Sequence, residues 1–576
     1  MEFNLAEVQE ALAARIGGRE AIVTPERRFT WAQLTERTRR FANLLRAEGV
    51  TVHAERSGLA DYEAGQDRVA ICLLNGHEYL EAILGSLKAR AAPCNVNYRY
   101  VTSELEELLA DMAPRALVYQ AQFAPQLGAA IDSLCAAGVI DRPALLLQVP
   151  DGSDVALLTG AVEYESALAS ASPERPPLEW SPDDLYILYT GGTTGKPKGV
   201  LWRQGDIFVT ALGGRNFRQG AREWDSLDEL VEAVAARTGA RGLSAAPFMH
   251  GTGQWVSFQA LHTGGTVVIQ GVVDRFDAGD VLDTVERERV SLLTIAGEAF
   301  AAPLIDAMDA RPRDLSCLVV VSSSGAALSP KSKEAIMARL PGVRIRDIMG
   351  SSEAGPLADN IDLPARSGEG GGTGGADAAG PGAGKRRPVR FRPDPQTCVL
   401  DETRTTVLAP DHEDTGWLAR SGRIPLGYLN DAEKTAATFR SIGGRRLTIP
   451  GDRARLHADG TVEVLGRDAV TINSGGEKIF AEEVEAAVRH HPGVRDVIVV
   501  GRPSERWGSE VVAIVEPEPG ADLDDGELLA TCAREIARYK LPKAVITVDR
   551  VRRNPAGKAD YAWAKSVAGG TAEPPA

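Results

Sequence analysis

The run Tyr189-Thr-Gly-Gly-Thr-Thr-Gly-Lys-Pro-Lys-Gly199 concentrates the residue types that suit a polyphosphate. Its glycines let the backbone turn N–H groups toward an anion at close range, its threonine hydroxyls add donors, and Lys196 and Lys198 add positive charge. The order is not that of the common P-loop, which needs Gly, four residues, then Gly-Lys-Ser/Thr. Pro197 follows Lys196, so the metal-binding hydroxyl of that motif is missing, which argues against a kinase or other P-loop NTPase. A pliant surface loop would explain the glycines. It would not explain two lysines beside so many donors after an apolar run. Elsewhere, Asp347-Ile-Met-Gly-Ser-Ser-Glu-Ala-Gly355 sets the Ser352 hydroxyl and the Glu353 carboxylate beside a turn. A helix cap accounts for both, whereas beside bound phosphates Glu353 offers the hard oxygen that Mg2+ requires. His250, in Ala246-Pro-Phe-Met-His-Gly-Thr-Gly253, is the best-placed histidine. No cysteine or serine partner makes it a catalytic base, and simple packing explains it nearly as well.

The elements that must position these residues read as α/β layers. Leu185-Tyr-Ile-Leu-Tyr189 is strand-like, and the segment from Trp202 to Leu212 is expected to be helical. Val69–Leu74 precedes a helical pattern from Glu78 to Ala89. Leu292–Ile295 leads into Ala299–Met308, and Cys317–Val321 into Lys331–Leu340. Such alternation predicts largely parallel sheets. The loops Thr190–Gly199, Ser322–Ala327 and Gly350–Gly355 each follow a strand, and ligands in open α/β sheets bind off the carboxyl ends of strands, so one cleft could join all three. After Gly466-Arg467 the pattern changes to a compact α+β unit, with helices at Glu482–His490 and Gly526–Tyr539 and strands at Val497–Gly501 and Val511–Val515. The acidic cluster Asp522-Leu-Asp-Asp-Gly526 reads as the start of the second of those helices. The glycine-rich run 367–385 cannot bury a core and is expected to be a flexible insertion.

Composition narrows the class. A chain of 576 residues is too long for one core. Hydrophobic content of 44% and charged content of 25% are those of an ordinary globular enzyme. Basic residues number 64 and acidic ones 79, a net charge of −15, with no basic stripe, so nucleic-acid binding is not expected. The six cysteines form no Cys-x-x-Cys pair, which disfavours a disulfide framework or zinc site. The opening Met1-Glu-Phe-Asn-Leu lacks a basic region leading into an apolar run, and no apolar stretch approaches membrane-spanning length. A cytoplasmic enzyme is the expectation.

The loop 189–199 resembles the signature of the AMP-forming adenylating enzymes, which include acyl-CoA synthetases, peptide-synthetase adenylation domains and luciferases. Gly191 stands where serine is usual. The resemblance implies that Thr190, Gly191, Gly192, Thr193, Thr194, Gly195 and Lys198 hold ATP, Thr193, Thr194 and Lys198 at its β- and γ-phosphates. Further stretches are similar to motifs of that family, in the same order. Gly350-Ser351-Ser352-Glu353 resembles Gly-x-Thr-Glu, implying Glu353 as the Mg2+ ligand, and Ser324-Gly325-Ala326 stands where a small-residue loop lies against adenine. Pro450-Gly-Asp452 resembles Thr-Gly-Asp, whose aspartate accepts from the ribose hydroxyls, and Leu465-Gly-Arg467 resembles the nucleotide-contacting hinge motif, with Asp468 one place earlier than the usual hinge residue. Asn473-Ser-Gly475-Gly476-Glu-Lys478-Ile479 looks like the loop that lines the CoA tunnel. Arg553-Asn-Pro-Ala-Gly-Lys558 resembles the C-terminal Pro-x-Gly-Lys, implying Lys558 as the adenylation lysine beside Glu353 and Lys198.

By the same resemblance, an ATP- and acyl-binding domain spans 1–465 and a small mobile α+β domain spans 466–565, with a disordered tail over 566–576. The implied reaction forms acyl-AMP from a carboxylic acid and ATP, then acyl-CoA, releasing pyrophosphate and AMP. Partners are therefore a carboxylic acid, ATP and CoA, with a homodimer left open. Trp202-Arg-Gln204 and Gly297–Pro303 look like a branch acting on fatty or steroid side-chain acids. His250, Gly251 and Gly253 would border the acyl pocket, Gly251, Thr252 and Gly253 keeping one wall small. An acyl-AMP ligase that passes its product to a carrier protein is the alternative. A dead nucleotide-binding regulator fits poorly with Lys558, Glu353 and Asp452 all present.

Overall fold

Leu185–Tyr189 is apolar at every position because its strand is covered on both faces. Tyr186 and Leu188 join one core with Trp31, Tyr79, Trp202 and Phe258, while Leu185, Ile187 and Tyr189 join a second core with Leu108, Leu117 and Ile131. Alternate residues of a strand point to opposite faces, so a strand buried twice loses its polar positions. The computed structural model describes residues 2–191, 197–216, 219–325, 328–362, 390–410, 415–474, 477–504, 508–554 and 557–570. The glycine-rich run 367–385 lies outside them.

The chain is an α/β protein. One sheet has eight strands, in the order Gly427–Tyr428, Pro197–Arg203, Leu185–Gly191, Ala92–Asn95, Arg68–Cys72, Ala116–Gln120, Leu145–Val149 and Val162–Glu163. It is parallel from Leu185–Gly191 onward. A second, fifteen-stranded sheet runs parallel through Glu20–Val23, Thr266–Val268, Arg241–Ser244, Leu292–Ile295, Val320–Ser324 and Arg344–Ser351. From Gly355–Asp362 it continues as antiparallel strands through Arg390–Pro393, Val462–Arg467, Asp452–Leu456 and Gly416–Ser421.

The C-terminal unit repeats the two-faced logic on a smaller scale. Val497, Val499, Val511, Ala513 and Val515 face a core shared with helices Ala481–Val488 and Asp525–Glu535. Ile498, Val500, Val512 and Ile514 face Trp563, Ala564 and Val567 of helix Tyr561–Ala568. The acidic cluster at 522–526 is a helix start, with Asp524 accepting from the Glu527 N–H at 2.9 Å.

Four expectations change. The segment after Tyr189 is not a strand-to-helix turn. Leu185–Gly191 and Pro197–Arg203 form an antiparallel hairpin, and the helix begins only at Gln204. Val200, Leu201 and Trp202 are all buried, which keeps that stretch in the sheet. The expected boundary at 465/466 falls inside the strand Val462–Arg467, which stays paired through Arg467↔Asp452 before a short turn at Asp468–Val470. Helix Tyr561–Ala568 carries regular structure into the expected tail, its face held by Trp563 and Val567. The helix expected over Gly526–Tyr539 ends at Glu535. Among the described residues no helix is long and apolar enough to cross a membrane.

Candidate active site

The hairpin that replaces the expected strand–helix turn determines where its polar residues stand. Thr190 is registered against Lys198, next to the loop tip. Residues 192–196, and with them Gly192, Thr193, Thr194 and Gly195, lie outside the described residues, as does any side-chain detail at Gly191. The Lys198 ammonium is 5.7 Å from the centre of the Tyr428 ring. Burial and the neighbouring Lys434 ammonium push Lys198 down to about 8, against the opposite pull of Glu353 and Asp431. The fold has placed two cations side by side, an arrangement that an anion would relieve.

Tyr428 also donates its hydroxyl to Glu353 Oε1 at 3.1 Å. Glu353 sits in the tight turn between strands Arg344–Ser351 and Gly355–Asp362, and the turn is possible because two of its residues are glycine. An added Cβ at Gly350 would lie 2.5 Å from the Gly355 carbonyl oxygen, and one at Gly355, where φ is +71°, 2.4 Å from Thr210. Trp202 holds the same turn by donating its indole N–H to the Ser352 carbonyl at 3.0 Å. The Ser351 hydroxyl is buried with no hydrogen-bond partner.

One cleft of about 2110 Å³ gathers Thr190, His250, Gly251, Ser324, Gly325, Gly350, Ser351, Ser352, Asp452 and Lys558 on its wall. Ser324 closes its strand and Gly325 turns away with φ +87°. Ala326, Gly475 and Gly476 lie outside the described residues, as do the side chains of Arg467 and Lys478. Lys198 and Glu353 stand next to this wall, joined through Tyr428. Gly253 does not face the cleft. It is packed against the Pro247 carbonyl oxygen, 2.5 Å from where a Cβ would be.

His250 caps helix Gly251–His262. Burial, reinforced by the Lys558 ammonium and the Arg99 guanidinium, holds its imidazole down to about 3, and its Nε2 is buried without a partner. It is a neutral ring at neutral pH. Two asparagines fix the segment leading to it. Asn75 accepts from the Phe248 N–H at 2.6 Å and donates to the Ala246 carbonyl at 3.2 Å. Asn95 accepts from the Tyr189 N–H at 2.7 Å and donates to the carbonyls of Tyr189 and Met249 at 2.8 and 2.7 Å. Asn95 thus ties the phosphate-loop strand to the acyl wall. A lone asparagine at a strand end carries no sequence signal, which is why neither was foreseen. Tyr428 and Lys434 escaped notice for the same reason.

Lys558 comes from the C-terminal unit. Its backbone closes a turn with Asn554, whose N–H donates to the Lys558 carbonyl at 2.8 Å while its side chain accepts from the Lys558 N–H at 3.0 Å. Gly557, with φ +72°, meets the large unit so closely that an added Cβ would lie 2.3 Å from the Ala296 carbonyl oxygen. Arg553 anchors the turn from behind through Asp496 at 2.5 and 2.7 Å and the Gly557 carbonyl at 3.2 Å. Among the described residues, ion pairs cross between the units from Lys331 to Glu518 at 2.6 Å and from Arg495 to Asp306 at 2.6 Å. In the segment Gly297–Pro303, Glu298 caps helix Pro330–Arg339 through Ser329 and Ser332.

Thr190 at a hairpin strand end, Asp452 and a lysine delivered by a second unit meet at one cleft, with the Glu353–Tyr428–Lys198 cluster beside it. The sequence matches the AMP-binding enzyme family over residues 9–419 and the AMP-binding enzyme C-terminal domain over 483–558. The chain belongs to the AMP-binding enzyme family. Among curated relatives of this family member is a medium-chain acyl-CoA ligase, Mig, of Mycobacterium avium, 48% identical over 566 residues, 98% of each chain. A 3-oxocholest-4-en-26-oate–CoA ligase of Rhodococcus rhodochrous is 39% identical over 577 residues, 99% of this chain and 96% of that protein. Among solved structures, the anthranilate CoA ligase AuaEII in complex with anthranoyl-AMP superposes with a TM-score of 0.77 at 21% identity, covering 99% of this chain and 98% of that one. At that identity the likeness concerns the fold.

Proposed function

We propose that this AMP-binding enzyme is an acid–thiol ligase that converts a medium- or long-chain fatty acid, or a steroid side-chain acid, to its CoA thioester. The observation that carries the reading is the meeting of Thr190, Asp452 and Lys558 on one cleft that continues along helix Gly251–His262. In the first step a carboxylate oxygen attacks the α-phosphorus of ATP. The bond to the β-phosphate bridging oxygen breaks, and pyrophosphate leaves. Lys198 and the Thr190 end of the hairpin bind the phosphates, Asp452 the ribose, and Lys558 neutralises charge between carboxylate and α-phosphate. In the second step the CoA sulfur attacks the acyl carbonyl and the bond to AMP breaks, the thiol proton passing to solvent. His250 borders the reacting acyl group as a neutral ring.

Mg2+ travels with ATP. Magnesium bound to phosphates needs only one or two protein carboxylates. Glu353, oriented by Tyr428, fits that part, and the described residues hold no cluster of three or more metal-ligating side chains. The domains divide near Asp468, after the strand Val462–Arg467, and the C-terminal domain turns about that point between half-reactions to exchange Lys558 for the loop 473–479. The full-length likeness to CoA ligases favours CoA over a carrier protein as acceptor, and the need for ATP and CoA favours the cytoplasm. Carboxylate-dependent ATP–pyrophosphate exchange over a panel of acids, then AMP release with and without CoA, tests the reading. Exchange that becomes a CoA-dependent thioester with octanoate, palmitate or a steroid carboxylate is expected. A preference for acetate would overturn the substrate class, and exchange indifferent to CoA would overturn the acceptor.

A further inference from the structure

Helix Thr102–Met112 ends on a carboxylate, which is the wrong charge for that end. Asp111 lies in its last turn, which holds no basic residue, and the carbonyl end of a helix repels negative charge. Burial also pushes the Asp111 carboxyl up, against the pull of the Tyr189 and Asn430 groups that bond to it and of the Arg68 guanidinium. Residues that break a local rule in this way tend to serve a site rather than the fold.

The partners of Asp111 show which site. Tyr189 donates its hydroxyl to Asp111 Oδ2 at 2.7 Å. Its ring lies over its cross-strand neighbour Gly199, where an added Cβ would stand 3.0 Å from the ring Cζ. The next cross-strand pair is Thr190↔Lys198, at the phosphate end of the hairpin. Asn430, in the left-handed region at φ +57°, donates its amide to the Asp111 carbonyl at 3.0 Å and reaches Oδ1 at 3.4 Å. Asn430 stands between strand Gly427–Tyr428, which pairs with Pro197–Arg203, and helix Ala432–Thr438. That short run carries Tyr428, the donor to Glu353, and Lys434, the neighbour of Lys198. Both segments that build the lysine–tyrosine–carboxylate cluster are therefore fastened to one residue. Glu104 and Leu108, on the same face of the helix as Asp111, line the cleft.

We propose that Asp111 is a positioning residue for the phosphates of ATP, fixing Tyr189 and Asn430 so that Thr190, Lys198 and Lys434 meet the phosphates together. The inference rests on the hairpin being the nucleotide-phosphate site. The Asn430 bond to the Asp111 carbonyl survives any substitution at 111, so variants there read the tether to Tyr189. Loss of a hydrogen bond to a charged group, partly made good by water at this half-buried position, should change a binding constant about three- to tenfold.

The test measures MgATP binding by titration calorimetry without any acid, then KM for ATP and KM for the acid in pyrophosphate exchange. The enzymes are the wild type, Tyr189→Phe, Asp111→Ala, Asp111→Asn and the double variant Y189F/D111A. Tyr189→Phe is expected to weaken MgATP binding and raise KM for ATP about three- to tenfold, with KM for the acid within about twofold. Asp111→Ala should lose at least as much, because it leaves the tyrosine hydroxyl buried without an acceptor. Asp111→Asn, which keeps an acceptor oxygen, should stay within about threefold of wild type. The double variant should be no worse than D111A, since removing the hydroxyl removes the orphaned donor. If thermal unfolding shows D111A to be unfolded, Y189F decides alone. Unchanged MgATP binding in Y189F, equal losses for ATP and acid, or single losses that multiply in the double variant would each overturn the proposal. A wild type that binds MgATP but exchanges with no acid overturns the acyl-activating reading, and the binding measurements still decide this inference. A wild type that does not bind MgATP overturns both.

Discussion

The two ends of the cleft are built on different principles. At the chemical end, polar groups sit in turns and at strand ends: Thr190 and Lys198 on a hairpin, Glu353 in a tight turn, Lys558 in a turn pressed on Ala296. At the acyl end the wall is one helix face, Thr252, Trp255, Val256 and Gln259, with Gly213 and Arg215 beside it. Phosphate demands donors at fixed positions, which a few adjacent residues with the right backbone can supply. An acyl chain demands only volume and shape, shared among side chains far apart in sequence. Substitutions at the first end should therefore change whether the reaction runs, and those at the second should change on what.

The largest effect belongs to Lys558→Ala. Loss of one preorganised transition-state charge typically costs 10²–10³-fold, so adenylation measured by pyrophosphate exchange should fall by roughly that factor. Thioester formation from supplied acyl-adenylate should change by less than about threefold. Equal losses in both halves would make the lysine a structural residue. Gly557→Ala probes the same end without touching a charge. A side chain at φ +72°, with the Ala296 carbonyl 2.3 Å away, cannot occupy the docked turn. Adenylation should drop by about tenfold or more with the second half-reaction spared. Retained adenylation would mean that the docked arrangement is not the one in which the first step occurs.

At the other end, Val256→Trp should narrow the acyl end of the cleft and leave the chemistry alone. We expect kcat/KM for palmitate to fall about tenfold while octanoate stays within about twofold, since misfit in an apolar pocket is worth about 1–3 kcal/mol. A uniform loss across chain lengths would erase the distinction between the two ends. Tyr428→Phe has a smaller expected effect. It removes the 3.1 Å hydrogen bond that orients Glu353, and should raise the Mg2+ concentration needed for half-maximal exchange by about three- to tenfold. An unchanged Mg2+ titration would separate Glu353 from the metal.

The same contrast decides what could be read beforehand. Thr190, Gly350, Asp452 and Lys558 stood out because the chemistry proposed for them is local in sequence, and the structure places all four on the wall of one cleft. The hairpin did not, because Val200-Leu-Trp202 is buried on both faces and such a run looks the same in a helix. The antiparallel half of the second sheet was hidden by arginines inside its strands. Gly416–Ser421 is buried throughout although it contains Arg420, whose guanidinium bonds the Pro356 carbonyl and pairs with Asp394. Arg453 is equally buried, stacked 4.2 Å from the Trp417 ring and paired with Glu402. A charge answered only in three dimensions breaks the apolar pattern on which sequence reading depends. Asn95 and Lys434 were missed because their partners, Met249 and Lys198, are remote in sequence.

Lys434 offers the finest test, because it alters the chemical end without removing a motif residue. Lys198 is pushed down to about 8 by burial first and by the Lys434 ammonium next, from an ordinary 10.5. A lysine whose folded value lies below its unfolded one binds fewer protons in the folded state between those two values. Its contribution to stability therefore improves as pH rises from about 8 toward 10.5, and its destabilisation is fully present below about 8. Phosphate prefers the cationic form, so the affinity of the free enzyme for pyrophosphate should weaken as pH climbs through about 8. Lys434→Met removes the neighbouring ammonium. It should weaken pyrophosphate binding at pH 7 modestly, by about two- to fivefold, as loss of one partly exposed cation would. It should also move the pH at which affinity declines upward, toward the ordinary lysine range. Titration calorimetry at a series of pH values between 6 and 10 reads both effects at once. A decline that stayed at the same pH would mean that burial alone holds Lys198 down and that the two lysines do not act as a pair on the phosphates.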